Sequence, residues 1–326
     1  MTKTQICIDY RHKYPDFPNA KLARIILKEQ SLVFDSSENI RTILRRVEGN
    51  TGNVLPKDKS LASGVHRPVN PYNLPNSDAN EYKPFIFRGH KKVGILSDIH
   101  VPYHDVEALS CAIRELKKQK IDGLLLNGDT MDCHHLSSFT KDPYKRGFAE
   151  ELEALNELIK VLKKELKCKI YFKIGNHEAR YENFLFSKAK ELSGIDEYRF
   201  ERIIKAREND ITVIESNRYM RIGNLNGIHG HEYRGGITVP VSIARGLYLR
   251  GKTTAFQGHN HSTSEYTDSD MNGKITTTWS LGCLCELNPD YMPLNKWNHG
   301  FAWVELEKNG KDFKFYNKRI YKGEVL

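Results

Sequence analysis

An alternation that begins at Lys92 limits the fold more than any other feature of this chain. Short apolar runs at 93–97, 124–127 and 170–174 are separated by segments of helical period at 105–118 and 148–166. Apolar runs of that length between amphipathic helices predict parallel βαβ units, whose ligands lie outside the carboxyl ends of the strands. After about Ile211 the strands come faster, at 211–215, 227–229, 253–257, 274–281, 301–307 and 313–321, and turns intervene. That pattern predicts a second, largely antiparallel sheet, giving two sheets packed face to face with helices outside.

Residues 15–48 read as two short helices ahead of this domain. Pro18 and Asn19 precede Ala23, Ile26 and Leu27, and then Ser36 or Ser37 caps a segment that sets Ile40, Ile43, Leu44 and Val47 on one face. Arg41 and Arg45 lie one turn apart on the opposite face, with Arg46 beside them. The pair fits a helix-turn-helix nucleic-acid reader, and equally a helical hairpin used for docking or oligomer contacts. From Gly49 to about Pro84 the chain turns to Gly, Pro, Asn, Ser and Asp with no sustained period. The expected division is a small helical segment over 1–48, a linker over 49–90 and the main domain over 91–326.

Composition narrows the setting. No apolar run approaches the roughly 20 residues needed to span a bilayer, so no membrane partner is expected. The polar N-terminus shows no apolar stretch followed by a small-residue cleavage site, and the six cysteines are scattered without a CxxC pair. A reducing cytoplasm is the expected location. The net charge of +9 suggests a polyanionic partner such as DNA or RNA, although spread-out surface lysines give the same total.

Five polar clusters interrupt the pattern, and each stands where a strand has just ended. Asp98-Ile99-His100 follows GIL, Gly128-Asp129 follows LLLN, and Gly175-Asn176-His177-Glu178 follows YFKI; His229-Gly230-His231 follows NGI and Gly258-His259-Asn260-His261 follows TAFQ. A core strand that ends in a carboxylate or imidazole holds that group rigidly, as ligands to a bound ion must be held. Imidazoles and carboxylates with one amide oxygen suit Mn, Fe or Zn better than Ca or Mg alone. Seven candidate ligands, Asp98, His100, Asp129, Asn176, His229, His259 and His261, exceed one tetrahedral site and match two ions that share a carboxylate.

In that order the motifs DxH, GD, GNHE, H and GHxH resemble the calcineurin-like metallophosphoesterase superfamily over roughly residues 92–261, and GD-x-x-D with GNHE-x-R resembles its bacterial and phage-borne members. The resemblance implies an α/β fold, a four-layer α-β-β-α sandwich of two mixed sheets. It also implies two divalent metal ions, manganese foremost, with iron, zinc or nickel as alternatives. By motif, Asp98, His100 and His261 would hold the first metal, Asn176, His229 and His259 the second, and Asp129 would bridge them. A metal-bridging hydroxide would then attack a phosphoester substrate. His177 would serve the leaving oxygen and Asp132 would pair with it. Arg180 and His231 are candidate substrate contacts, Arg180 as a phosphate grip or a surface ion pair, His231 as a phosphate contact or the group that orients His229. GNHE and GD-x-x-D also resemble Ser/Thr protein phosphatases, but in that branch an arginine follows the second Asp where this chain has Cys133. The expected function is therefore a phosphodiesterase or nuclease, with a phosphomonoesterase or a non-catalytic binding or scaffold protein as alternatives.

Overall fold

The computed structural model describes residues 2–15, 17–48, 82–138, 142, 144–233 and 242–326. The chain divides into two compact units, Met1–Asn80 and Glu81–Leu326.

In the first unit three helices enclose a small core: α1 (Lys3–Lys13), α2 (Asn19–Glu29) and α3 (Ser37–Val47). The Ser36 side chain caps α3 by accepting from the Asn39 N–H. Ile6, Cys7, Leu22, Ile26, Phe34, Ile40 and Leu44 are buried together. No helix is expected from the sequence at α1, because Ile6, Cys7 and Ile8 are contiguous and make no stripe at helical spacing. Most of the expected linker, 49–81, lies outside the described residues.

The second unit opens with β1 (Phe85–Ile86), within the stretch expected as linker, and continues with β2 (Lys92–Leu96), α4 (Val106–Lys118), β3 (Gly123–Asn127), α5 (Phe148–Leu166) and β4 (Lys169–Lys173). Asp105 caps α4 through the Ala108 N–H, and α5 buries Leu155, Leu158, Ile159, Leu162 and Leu166 along one face. There follow α6 (Ala179–Lys188), α7 (Phe200–Ile203), β5 (Ile211–Ile214), β6 (Met220–Ile222), β7 (Leu225–Gly227), α8 (Ile243–Gly251), β8 (Ala255–Gln257), β9 (Ser264–Ser269) and β10 (Ile275–Ser280). The chain ends with β11 (Gly300–Leu306), β12 (Phe313–Tyr321) and β13 (Glu324–Val325).

Seven strands form one sheet in the order β13-β12-β11-β2-β3-β4-β5, and six form the other in the order β1-β6-β7-β8-β10-β9. Val93, Ile95, Leu125, Tyr171, Ile222, Phe256 and Trp279 fill the layer between the sheets. The alternate residues of β2 and β3, Leu96, Leu124 and Leu126, face outward into the helices, while Leu247 of α8 packs with Ala255 against the other sheet. This is the expected four-layer α-β-β-α arrangement of two mixed sheets, but two details differ from the pattern reading. The six-stranded sheet is not largely antiparallel: β1/β6, β7/β8 and β8/β10 pair parallel. The strands at 211–215, 301–307 and 313–321 belong to the first sheet, where β5 extends the parallel run and β11 pairs antiparallel with β2. A strand as apolar on both faces as GFAWV needs a central position, and the free edge of β2 supplies it.

Candidate metal centre

All five clusters meet where the strands end. Asp98 and His100 follow β2, Asp129 follows β3, Asn176 follows β4, His229 follows β7, and His259 and His261 follow β8. At the middle is Asp129, whose Oδ2 lies 3.2 Å from His229 Nε2 and 4.0 Å from His100 Nε2. On one side His229 Nε2 is 3.1 Å from Asn176 Oδ1, and His259 completes a set with Asp129 and His229 whose donor atoms lie within 4.8 Å of one another. On the other side His261 Nε2 lies 3.2 Å from Asp98 Oδ1 and 3.3 Å from His100 Nε2. One carboxylate thus stands between two donor sets.

The backbone here is strained. Asp98, His100, Asp129, His259 and His261 have φ of 56°, 52°, 49°, 67° and 54°, a left-handed conformation that costs a side-chain-bearing residue on the order of 1–3 kcal/mol. Buried partners hold it. Glu178 accepts the N–H groups of Asp129 (3.0 Å), Thr130 (2.6 Å), Met131 (2.9 Å) and Gly175 (2.9 Å), so one carboxylate fixes the whole turn after β3. Gly128, at φ 85°, has no room for a Cβ, which would strike the His229 ring.

The donor chemistry fits divalent cations. His229 Nδ1–H donates to the Asn127 carbonyl at 2.7 Å, His100 Nδ1–H to Asp132 Oδ1 at 3.0 Å, and His261 Nδ1 lies 3.9 Å from Cys285 Sγ. With each outer nitrogen so occupied, the Nε2 lone pairs turn inward, as metal-binding imidazoles do. His259 Nδ1 is buried with no hydrogen-bond partner among the described residues. Burial pushes the Asp98 carboxyl up, but the His261 imidazole outweighs it and holds the group down to about 2. Burial likewise pushes His229 down, yet Asp129 and Asp98 carry it up to about 10. Two buried carboxylates here demand positive charge.

His177 lies beside this centre, its ring 4.4 Å from that of His100. Its Nδ1–H donates to the Asp132 carbonyl at 2.8 Å and lies 3.2 Å from Asp132 Oδ1, the carboxylate oxygen that also takes His100. Asp132 therefore orients two histidines, of which the sequence suggested one. Burial lowers the His177 pKa, and Asp129 and Asp132 more than reverse it. The Arg180 contact pulls the other way: its Nη2 faces His177 Nε2 at 3.0 Å, and a guanidinium only donates, so this geometry holds the neutral imidazole with the proton on Nδ1. Arg180 also donates to the Asp132 carbonyl at 2.9 Å, which places it beside the centre and not in the surface ion pair that the sequence also allowed. His231 places its ring 5.3 Å from that of His229, with Nε2 at 2.8 Å from Ser216 Oγ, and the hydrogen bond that orients His229 goes to the Asn127 carbonyl.

Several supporting groups were not singled out from sequence. Glu178 stands inside GNHE, where its position in the motif was the available signal. Glu232 accepts the N–H groups of His229 (3.1 Å) and Gly230 (2.7 Å) and pairs at 3.1 Å with fully buried Lys173. Trp297 packs its ring 4.1 Å from that of His261, from a loop whose sequence has no pattern that would announce it.

A family model described as Calcineurin-like phosphoesterase matches residues 91–279, more than half of the 326-residue chain. The chain belongs to the calcineurin-like phosphoesterase family. Membership makes it a metal-dependent phosphoester hydrolase and implies two divalent metals, for which Asp129 and the surrounding histidines are candidate holders. No curated protein matches this phosphoesterase. Among solved structures it is similar to Vacuolar Protein Sorting 29 from Cryptosporidium parvum, with 17% identity, 73% of this chain and 95% of that chain covered, and a TM-score of 0.41. A dimetal phosphatase from Danio rerio gives 13% identity, 70% and 95% coverage and a TM-score of 0.32. The phosphoesterase Yfce from E. coli gives 12%, 66%, 88% and 0.32. At those scores the likeness says nothing of function. In this phosphoesterase no described helix is long and apolar enough to cross a membrane.

Proposed function

We propose that this protein hydrolyses phosphodiesters in nucleic acid with two divalent metals, manganese foremost, held by Asp98, His100 and His261 on one side and Asn176, His229 and His259 on the other, with Asp129 shared. The observation that carries the metal assignment is Asp129 Oδ2 standing between His229 Nε2 and His100 Nε2. When bound, such ions supply Lewis acidity at phosphorus and an activated water as nucleophile. The protein's own residues do the rest. Asp132 fixes the tautomers of His100 and His177; as the Arg180 guanidinium turns to a phosphate oxygen it frees His177 Nε2, which takes up a proton from solvent because Asp129 and Asp132 favour the charged imidazole, and His177 passes that proton to the departing oxygen.

The substrate class rests on residues around this centre. Buried Cys133 stands where the protein-phosphatase branch has an arginine, which leaves Arg180 as the guanidinium at His177. A diester carries one negative charge where a monoester dianion carries two, and one guanidinium beside two cations suits the smaller charge. The excess of basic residues and the helices ahead of the domain support a nucleic-acid substrate. The test is hydrolysis of bis-p-nitrophenyl phosphate against p-nitrophenyl phosphate, with Mn restored after chelation, repeated on single- and double-stranded DNA. Faster turnover of the diester, and cleavage of either DNA, is the expected result. Preference for the monoester with no DNA cleavage would replace the reading with a phosphomonoesterase, and inactivity on all four with both metals bound would favour a scaffold.

A further inference from the structure

A cleft of about 230 Å³ opens directly beside His100 and Asp132, on the flank of the centre where His177 sits. Part of its lining is aromatic. Tyr103, Tyr291 and Trp297 line it together with His134, and Lys145 and Asp290, paired at 3.7 Å, lie at its edge. Trp297 is anchored against His261, and Tyr291 stands 6.3 Å from Trp297 with 67% of its surface exposed. Tyr103 is backed by the Lys145 ammonium 5.0 Å from its ring centroid. Exposed aromatic surface at the mouth of a polar centre is costly unless it meets a ligand of its own kind. The volume is below the ~300–1,000 Å³ of drug-sized sites and matches one ring system, not a stretch of polymer.

We infer that this cleft holds the base of the leaving nucleoside, stacked on the exposed ring of Tyr291 and meeting Trp297, whose ring is set at 62° to that of Tyr291, edge-on, while the phosphate sits at the metal centre. The inference rests on the phosphodiester reading above and sharpens it: the group that departs with the proton from His177 is a nucleoside, recognised by the flat face of its base. Stacking is indifferent to which base is present, because every base offers a π-face, so the cleft supplies affinity without sequence preference. The polar groups at the rim, Asn288, Glu286 and the Lys145–Asp290 pair, can meet base edges but are too exposed or too few to select one.

Two measurements on the full-length protein decide it. In the first, adenosine is titrated while tryptophan fluorescence is followed; Trp279 and Trp303 are buried, so Trp297 dominates any quenching by a stacked ligand. Saturable quenching is expected, with deoxyribose silent and phenol much weaker, and Tyr291→Ala should weaken adenosine binding by about tenfold, within the range for loss of one stacking partner. In the second, kcat/KM is compared for thymidylyl-thymidine and the same dinucleotide with an abasic sugar on the leaving side. The ratio should be about ten or more in the wild type and collapse toward one in Tyr291→Ala. Absence of quenching together with equal kcat/KM for the two dinucleotides would overturn the inference, as would quenching that survives Trp297→Phe or phenol competing as well as adenosine. Adenosine binding without turnover of any diester would keep the cleft and sink the phosphodiester reading. Diester turnover indifferent to the leaving base would do the reverse.

Discussion

Asp129 and His177 separate metal binding from proton transfer, and each makes a distinct prediction. Asp129→Asn keeps the size of the side chain but removes the charge that faces both donor sets, so both ions should weaken together. Elemental analysis should find well under two metals per chain, since even the loss of a partner that only orients a ligand costs 10–100-fold in metal affinity. Two metals retained in Asp129→Asn would remove it from the shared position. His177→Ala should instead keep both metals and lose about 10²–10⁴-fold in kcat for a nucleoside leaving group, with a much smaller loss for p-nitrophenolate, which departs without a proton. Equal losses with the two leaving groups would mean that His177 does not act as the acid. At this scale the sequence was highly legible, because each candidate ligand follows an apolar run that becomes a core strand. Asp132 was only half legible: its carboxylate meets His100 as well as His177, and that second contact depends on a three-dimensional crossing of the turns after β2 and β3. Asn127 was hidden for a different reason, since it orients His229 through its backbone carbonyl, and no side-chain pattern encodes that.

Among the elements, the turn after β3 and the end of β4 are held by two buried carboxylates. Glu178→Gln replaces one acceptor oxygen by an NH₂ group that would face backbone N–H groups, and charge-assisted bonds are worth about 1.5–3 kcal/mol each, so at least about 3 kcal/mol of stability should be lost in urea unfolding. Unchanged stability would show that the turn holds itself. Glu232 makes a pH-dependent prediction. Burial pushes its carboxyl up, and Lys173 with His231 outweighs this and holds it down to about 2. A folded pKa below the ordinary value of about 4.3 contributes stability that is complete above about pH 4.3 and is lost as pH falls toward 2. Glu232→Gln should therefore flatten the acid limb of the stability curve, and at pH 7 should cost on the order of 3 kcal/mol by leaving Lys173 buried without its counter-charge. An acid limb as steep as that of the wild type would place the acid sensitivity elsewhere. Positions at β2, α4, β3, α5 and β4 followed from period alone, whereas α6, α8, β6 and β9 were not expected from it. Sheet membership did not follow from it either, because β11 and β12 read locally like any late antiparallel strands, and only the open edge of β2 decides where they pair.

For the whole molecule the open question is what the three-helix unit does for a hydrolytic domain that carries its own metal centre. The unit has a complete core, so α3 need not contribute its outer face to stability. On that face Arg41 and Arg45 both reach Glu38, at 2.6 and 3.8 Å, and Arg46 is exposed. One carboxylate beside three guanidinium groups leaves a surplus of positive charge on a helix that follows a turn, the arrangement with which helix-turn-helix proteins approach a duplex. If α3 does so here, replacing Arg41, Arg45 and Arg46 together by Ala should weaken DNA binding and flatten the plot of log affinity against log salt by about 0.9 for each phosphate that is no longer neutralised. Three guanidinium groups can neutralise up to about three phosphates, so the slope should change by roughly two to three. Hydrolysis of bis-p-nitrophenyl phosphate should be unaffected, because that substrate needs only the metal centre. The two readouts together separate the cases. A lower affinity with a flattened slope and intact chemistry assigns α3 to nucleic-acid capture, whereas an unchanged slope returns it to a helical hairpin whose arginines serve only Glu38 and the solvent.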